Sequence, residues 1–422
     1  MDIGVIADDF TGGTDIAGFL VEGGLATVQL SGVPEDSFHT EADAVVISLK
    51  SRSCPVEEAV GQSLAALHWL KKQNCRQIFF KYCSTFDSTA QGNIGPVTDA
   101  IMQELGETFT IISPALPVNG RTVYYGYLFV NGVLLNESGM QNHPITPMRD
   151  ANLMRLMEMQ ASGKAANIPA PVLDQGAEAV KKAFTDLVNT GVQYGVTDTL
   201  GEDHIRVLGE AAVDMPFVTG GSGLAAGLAR ALTKRRGIQQ NNASEAGAPH
   251  SGGKTIILSG SCSVMANKQV AVYAAEAPSF HVDAARCADD PVAYAAEIIK
   301  WIDQQDSIRA PLIYATASPN VLANVQKKYG AKQSSLAVEQ LFSNIAVQLR
   351  DKGFDHFIVA GGETSGVVVQ SIGVSAFHIG PQIAPGVPWV RAVNMPISFA
   401  LKSGNFGDEQ FFSKAQSFYM GK

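Results

Sequence analysis

Apolar residues along this chain fall into short blocks separated by longer segments of helical spacing, and the alternation covers most of its length. The blocks at 3–7, 26–30, 44–49, 77–83, 109–113, 192–197 and 216–219 predict buried strands. Between them, apolar positions recur at three- and four-residue steps over 14–23, 56–73, 95–105, 150–161, 175–189, 203–212 and 223–233, the period of amphipathic helices. Strands that alternate with helices predict βα units and a largely parallel sheet. One stretch breaks the rhythm. Across 121–135, Tyr124, Tyr127 and Phe129 precede Asn131-Gly132, which predicts a hairpin.

Residues 235–254 are polar and rich in Gly, Ala, Ser and Asn, which predicts a linker. The alternation then restarts with strands at 255–259, 279–283, 311–315 and 356–360 and helices at 264–275, 291–304, 334–352 and 364–371. Strands near 375–379, 389–392 and 397–401 and a helix after Gly407 close the chain. The expected fold is α/β in two domains, 1–234 and 255–422, each a mainly parallel sheet flanked by helices. A cleft between them is where two substrates could meet.

Composition narrows the function. With 46% hydrophobic and 17% charged residues the chain reads as a compact globular protein. A formal charge of −9 argues against a nucleic-acid partner, and the densest basic run is only Lys234-Arg235-Arg236. The five cysteines (Cys54, Cys75, Cys83, Cys262, Cys287) are scattered and contain no C-x-x-C pair, which points to reduced thiols and away from sulfur-bound metal. No signal peptide and no apolar segment of membrane-spanning length are expected, and the location expected is the cytoplasm.

The first strand ends at two adjacent carboxylates, Asp8 and Asp9, followed by Thr11-Gly12-Gly13 and then a helical pattern. In an open α/β sheet, ligands bind at the carboxyl ends of the strands. The bland alternative is that Asp9 or Thr11 caps the helix. Three Gly- and Ser-rich loops follow predicted strands in the second half: Ser259-Gly-Ser-Cys-Ser263, Gly361-Gly-Glu-Thr-Ser-Gly366 and Lys402-Ser-Gly-Asn-Phe-Gly407. Loop amides and a helix N-terminus together suit phosphate. Tight βα turns use glycine anyway, so it is the recurrence that points to a nucleotide. Gly252-Gly253-Lys254-Thr255 imitates the end of a phosphate-binding P-loop, but it precedes its strand and Ala248 stands where that motif needs glycine.

The first half has its own glycine turn, Gly220-Gly221-Ser222-Gly223, which with Gly227 is one residue too long for a dinucleotide fingerprint. Lys81 ends a strand and is followed by a hydroxyl-rich loop containing Asp87 and Ser88, which suits a polar anion. Arg121 follows a Pro-bounded loop and could clamp a carboxylate bidentately. Arg149 lies in a Pro-broken segment with His143, a candidate base. For each, a plain surface role is the competing reading.

Taken together, Ile6-Ala-Asp-Asp-Phe-Thr-Gly12, Lys81 with Asp87-Ser88-Thr89, the loop ending at Arg121, Gly220–Gly223, Ser259-Gly-Ser261 and Gly361–Gly366 resemble the four-carbon acid sugar kinase family. The resemblance implies a sugar-acid-binding N-terminal domain and a nucleotide-binding C-terminal domain. It also implies ATP-dependent phosphorylation of the C4 hydroxyl of a four-carbon acid in sugar-acid catabolism. The extended opening to Leu30 and His143-Pro-x-Thr-Pro-Met148 favour 3-oxo-tetronate as the acid, with threonate or erythronate as alternatives. A non-catalytic binder of nucleotide and sugar acid is the rival from another class.

By the same resemblance Ser259, Gly361, Gly362, Glu363, Thr364 and Gly404 contact ATP. The acid is expected at Asp8, Lys81, Asp87, Ser88, Arg121, Arg149, Gly221, Ser222 and Gly223. Asp8 or Asp9 is expected to accept or orient the hydroxyl proton, with the other helping to hold Mg²⁺. The expected partners are the sugar acid and ATP, with no nucleic acid and no membrane, and the assembly considered is a homodimer.

Overall fold

The computed structural model describes all residues except 143–145, 238–242, 317–326, 328–329 and 421–422. His143 and the middle of the expected linker therefore lie outside the described residues. The chain divides into two compact units, Met1–Ala243 and Ser244–Lys422.

The first unit is built on eight parallel strands: β1 (Ile3–Ala7), β2 (Thr27–Ser31), β3 (Ala44–Ser48), β4 (Gln77–Lys81), β5 (Thr110–Ser113), β9 (Ala165–Ile168), β10 (Tyr194–Thr197) and β11 (Phe217–Gly220). Their order is β2-β3-β1-β4-β11-β5-β10-β9. Every residue of β1, β3 and β4 is buried, which explains why these strands read as unbroken apolar runs. Helices α1 (Phe10–Glu22), α2 (Val56–Lys72), α3 (Ile94–Leu105), α4 (Leu153–Glu158), α5 (Ala170–Leu173), α6 (Ala177–Asn189), α7 (Glu202–Ala212) and α8 (Ser222–Arg236) accompany them. The expected hairpin is a three-stranded antiparallel sheet of β6 (Arg121–Tyr124), β7 (Tyr127–Val130) and β8 (Val133–Leu134). Buried Asp198 anchors its first turn by accepting hydrogen bonds from the amides of Tyr125 (2.7 Å) and Gly126 (2.9 Å).

Two departures from the sequence pattern bear on the site. The Thr11-Gly12-Gly13 segment is not a turn ahead of the helix but its first turn, because α1 begins at Phe10. Close packing explains the glycines. A Cβ on Gly12 would lie 2.2 Å from Asp9 Oδ1 and 3.2 Å from Lys81 Nζ, and one on Gly13 2.0 Å from Ser48 Oγ. Gly227, left over from the rejected fingerprint, sits where α8 crosses α7. A Cβ there would lie 2.2 Å from the carbonyl oxygen of Ile205, and one on Gly209 would lie 2.1 Å from the Gly227 carbonyl carbon.

The second unit has the order β13-β14-β12-β15-β18-β17-β16. Here β12 is Lys254–Ser259, β13 Ser279–His281, β14 Leu312–Tyr314, β15 Phe354–Ala360, β16 Ala376–Ala384, β17 Val387–Ala392 and β18 Ser398–Lys402. The first five strands of that order run parallel, while β17 is antiparallel to both of its neighbours. The core gathers Trp389, Phe411, Phe412 and Ala400 around Ile257 and Ile358. The imitation P-loop lies ahead of β12, with Gly252 and Gly253 at positive φ.

Candidate functional site

In the first unit the register pairs Ala7 with Lys81 and Lys81 with Gly220, so β1, β4 and β11 end side by side. Asp8 is the first residue past that edge, and its carboxylate is gripped by a residue far away in sequence. Arg52 donates from Nε to Oδ2 (2.9 Å) and from Nη2 to Oδ1 (2.8 Å), a bidentate fork. The same Nη2 lies 2.8 Å from Asp9 Oδ1. The loop carrying Arg52 is itself fixed. The amides of Ser51 and Arg52 donate to the Asp8 carbonyl, and Asn93 Nδ2 donates to the Ser51 and Cys54 carbonyls.

Asp9 is the N-cap of α1, accepting from the Gly12 amide (2.9 Å) and the Thr11 hydroxyl (3.1 Å). The capping reading holds for Asp9, and both acids face Arg52. Burial pushes the Asp8 carboxyl up despite Arg52. Burial also pushes Asp9 up, but Arg52 and then Lys81 outweigh it and hold it below the ordinary carboxylate value.

A third carboxylate, Asp15, was not among the expected site residues. It is buried on α1, and its Oδ2 accepts a short hydrogen bond from the Ser222 hydroxyl at the start of α8. Among the described residues its buried Oδ1 has no hydrogen-bond partner. Burial pushes this carboxyl up, against the pull of Lys81, the Ser222 bond and Arg121. Arg121 Nε is likewise buried without a partner, although its Nη1 donates to the Asn119 carbonyl. Lys81, 3% exposed, spends one N–H on the Tyr82 carbonyl (3.0 Å). Native interiors rarely leave buried acceptors and donors unpaired, and a water, an ion or a catalytic role accounts for those that are.

The glycine turn belongs to this cluster. Cβ atoms on Gly220, Gly221 and Gly223 would lie 2.4–2.5 Å from the carbonyl oxygens of Ser113, Pro114 and Ala115. Only glycine lets that loop close over the N-terminus of α8, whose N-cap Gly221 supplies no side-chain acceptor and leaves the first amides open.

Asp87 and Ser88 line a small cavity with Asp8, Ser51, Arg52 and Asn93. Asp87 accepts from Thr85 (2.6 Å), and buried Ser88 donates to Gln160 Oε1 (2.7 Å), which ties α3 to the end of α4. Arg149 is exposed and makes no ion pair to this cluster among the described residues.

In the second unit Ser259, Ala360 and Lys402 end adjacent strands in register. The three loops that follow interlock. The Gly260 amide donates to the Ala360 carbonyl (3.0 Å) and the Gly361 amide to the Lys402 carbonyl (2.9 Å). Ser259 Oγ bonds Thr316 Oγ1 (2.7 Å). Gly361 has φ +122°, a conformation open to glycine, and a Cβ on Gly260 would lie 2.2 Å from Thr364 Oγ1. A Cβ on Gly404 would lie 2.3 Å from Ser261 Oγ. The helix Gly362–Ile372 starts from this cluster with Glu363 exposed in its first turn. Backbone therefore approaches closely on all three sides of a helix N-terminus, the construction that receives an anion.

Comparison with known proteins meets both halves. A sugar-binding N-terminal domain family matches residues 3–228, and a nucleotide-binding C-terminal domain family matches residues 256–412. A 3-oxo-tetronate kinase of Pectobacterium atrosepticum is 59% identical over 418 residues, covering 98% of each chain. The chain belongs to the 3-oxo-tetronate kinase family. The enzyme of that description from Salmonella typhimurium is also 59% identical, over 99% of each chain. A crystal structure from Salmonella typhimurium LT2, described as a tRNA synthase, is 58% identical with a TM-score of 0.93, covering 99% of this chain and 100% of that one.

Within this kinase-family chain, sequence reasoning missed Arg52 and Asp15. Arg52 had a faint signal, a polar Ser51-Arg52-Ser53 run straight after a buried strand. Asp15 had none beyond being an acid among the apolar positions of α1.

Proposed function

We propose that the chain is an ATP-dependent phosphotransferase that phosphorylates the C4 hydroxyl of 3-oxo-tetronate. The observation that carries the phosphotransfer half is the set of three glycine-walled loops around the helix start at Gly362. The acid is taken from the relatives named above, whose identity extends over nearly the whole chain.

Phosphoryl transfer asks the protein for positioning and charge neutralisation. In the first unit Lys81, Arg121 and the open amides of Ser222 and Gly223 at the start of α8 hold the substrate carboxylate. Asp8 and Asp9 are already engaged by Arg52, so the proton of the acceptor hydroxyl goes to Asp15, whose free oxygen and burial-raised carboxyl suit a general base. Asp8 and Asp9 keep Arg52 and the first turn of α1 in place. Ser88 and Asp87 support the loop beside them. In the second unit Ser259, the Gly361–Thr364 segment and Gly404 receive the nucleotide.

The Asp8–Asp9 pair does not fit a magnesium site, because its oxygens already face a guanidinium. We assign the metal to the nucleotide, as counter-ion of its phosphates. A tRNA-directed activity does not suit a chain of charge −9 whose basic run is spent on Glu210, Asp214, Asp2 and Asp43.

A coupled ADP-release assay with 3-oxo-tetronate, threonate and erythronate tests the reading. Turnover at least tenfold faster with the oxo acid is expected. Faster turnover with a hydroxy acid moves the substrate to that acid. Binding of ATP without turnover of any of the three would leave a sensor.

A further inference from the structure

The three loops of the second unit contain a single cation. Across 259–263, 361–366 and 402–407 there is no arginine, and Lys402 is the only lysine. Its side chain is fully buried, donates one N–H to the Gly404 carbonyl (2.8 Å) and lies 5.8 Å from the ring centroid of Phe411. Its own carbonyl accepts from the Gly361 amide. Lys402 thus ties the second loop to the third through its main chain and braces the third loop internally through its side chain.

Among the described residues no carboxylate forms an ion pair with it. The acids that follow it, Asp408 and Glu409, are drawn to Lys414 and Lys268, and Glu363 in the neighbouring helix accepts from the Ser335 hydroxyl. Arg391 on β17 and the Asp355–His356 pair on β15 lie at other register positions, opposite Ser398 and at the far end of the strand. An ammonium group has three donors and is strongly hydrated in water, so a buried one with a single acceptor is costly to keep charged.

We propose that Lys402 is a proton-linked positioning residue of the nucleotide site: buried in the loops with a single acceptor, it takes up a proton when polyphosphate arrives, locking Gly404 and Gly361 around it. The inference rests on the nucleotide-binding reading of this unit. Burial alone holds this amine far below the usual lysine value, down to about 7. A bound polyphosphate pulls it back up by direct attraction, so binding and protonation are linked. The reaction balances simply. Free protein, nucleotide and one buffer proton give the complex, with the proton on Lys402 Nζ.

The test is calorimetry of ADP binding in excess magnesium to the full-length protein, in buffers of differing ionisation enthalpy at pH 6, 7 and 8. An amine at about 7 is roughly nine-tenths neutral at pH 8 and roughly one-tenth neutral at pH 6, so uptake should rise from about 0.1 to about 0.9 proton per nucleotide. Lys402→Arg, permanently charged, should bind without that uptake. Lys402→Met should raise the KM for ATP at least tenfold with a smaller change in kcat. Binding with no uptake at any pH in the wild-type protein overturns the proposal without any variant having to fold. The same uptake in Lys402→Arg overturns it as well. A wild-type protein that fails to bind ADP at all sinks the nucleotide reading and the proposal together.

Discussion

Replacing Arg52 with methionine should expose how much of the first unit depends on one guanidinium. In the wild-type protein this side chain, 25% exposed, neutralises two carboxylates at once. Methionine keeps most of the stem and removes the charge, leaving buried Asp8 without its bidentate partner and with only the weaker pull of Lys81. Breaking a buried pair from one side costs about 3–5 kcal/mol, because the remaining charge has lost its partner. At about 2–4 °C per kcal/mol for units of this size, Tm should fall by roughly 6–20 °C.

The pH dependence makes the argument sharper. Asp8 is raised by burial, so its protonated form favours the fold and its stabilising contribution is lost as pH rises through the folded value. Asp9 is depressed, so its contribution is present above the ordinary value and lost as pH falls through the lowered one. Without Arg52 both carboxyls move upward. The deficit of Arg52→Met should therefore be largest near pH 7.5 and shrink toward pH 5, where the stranded acids take up protons. Differential scanning fluorimetry across that range, backed by urea titration at the two ends, measures it. A deficit below about 1 kcal/mol, the scale of a surface pair, would refute the reasoning. So would one that stays constant from pH 5 to 7.5. The double variant Asp8→Asn with Arg52→Met should recover part of the loss.

Other consequences follow from the same structure. Asp15→Asn should lower kcat by about 10²–10⁴-fold, the range of a lost general base, while ATP KM stays within a few-fold in steady-state rates. Gly223→Ala pushes a Cβ against the Ala115 carbonyl and should weaken the acceptor substrate in isothermal titration while nucleotide binding is kept. Gly361→Ala, forced to φ +122°, should raise the KM for ATP by tenfold or more with thermal stability reduced by only about 1–3 kcal/mol.

The strand–helix alternation was legible in the sequence because parallel strands buried on both faces are plain apolar runs. The edge strand Ala165–Ile168 escaped, since only Ile168 is buried and the other three residues are small or polar and partly covered. The start of α1 was misread at Thr11-Gly12-Gly13 because glycine is a poor helix former. Gly12 answers to the Asp9 cap and Gly13 to Ser48, and the second of these no local pattern reveals. The site was legible where it lies in glycine turns and strand ends. Arg52 was not, because its partner Asp8 lies 44 residues away in sequence and only the pairing of β1 with β3 brings the two together.

The contact of α7 with α8 through Gly209 and Gly227 gives the acceptor pocket a fixed gauge. Two helices touching backbone to backbone cannot slide closer, and drawing them apart would open a void with no side chain to fill it. The start of α8, with Ser222 against Asp15, is thereby held at a set depth whatever occupies the pocket. Under the proposed placement of the substrate, an acid one carbon longer would have to find its room on the side of Arg121, where Tyr124 and the turn residue Tyr125 are exposed. A search for variants with altered substrate length should begin on that wall, because the helix opposite has no play in it.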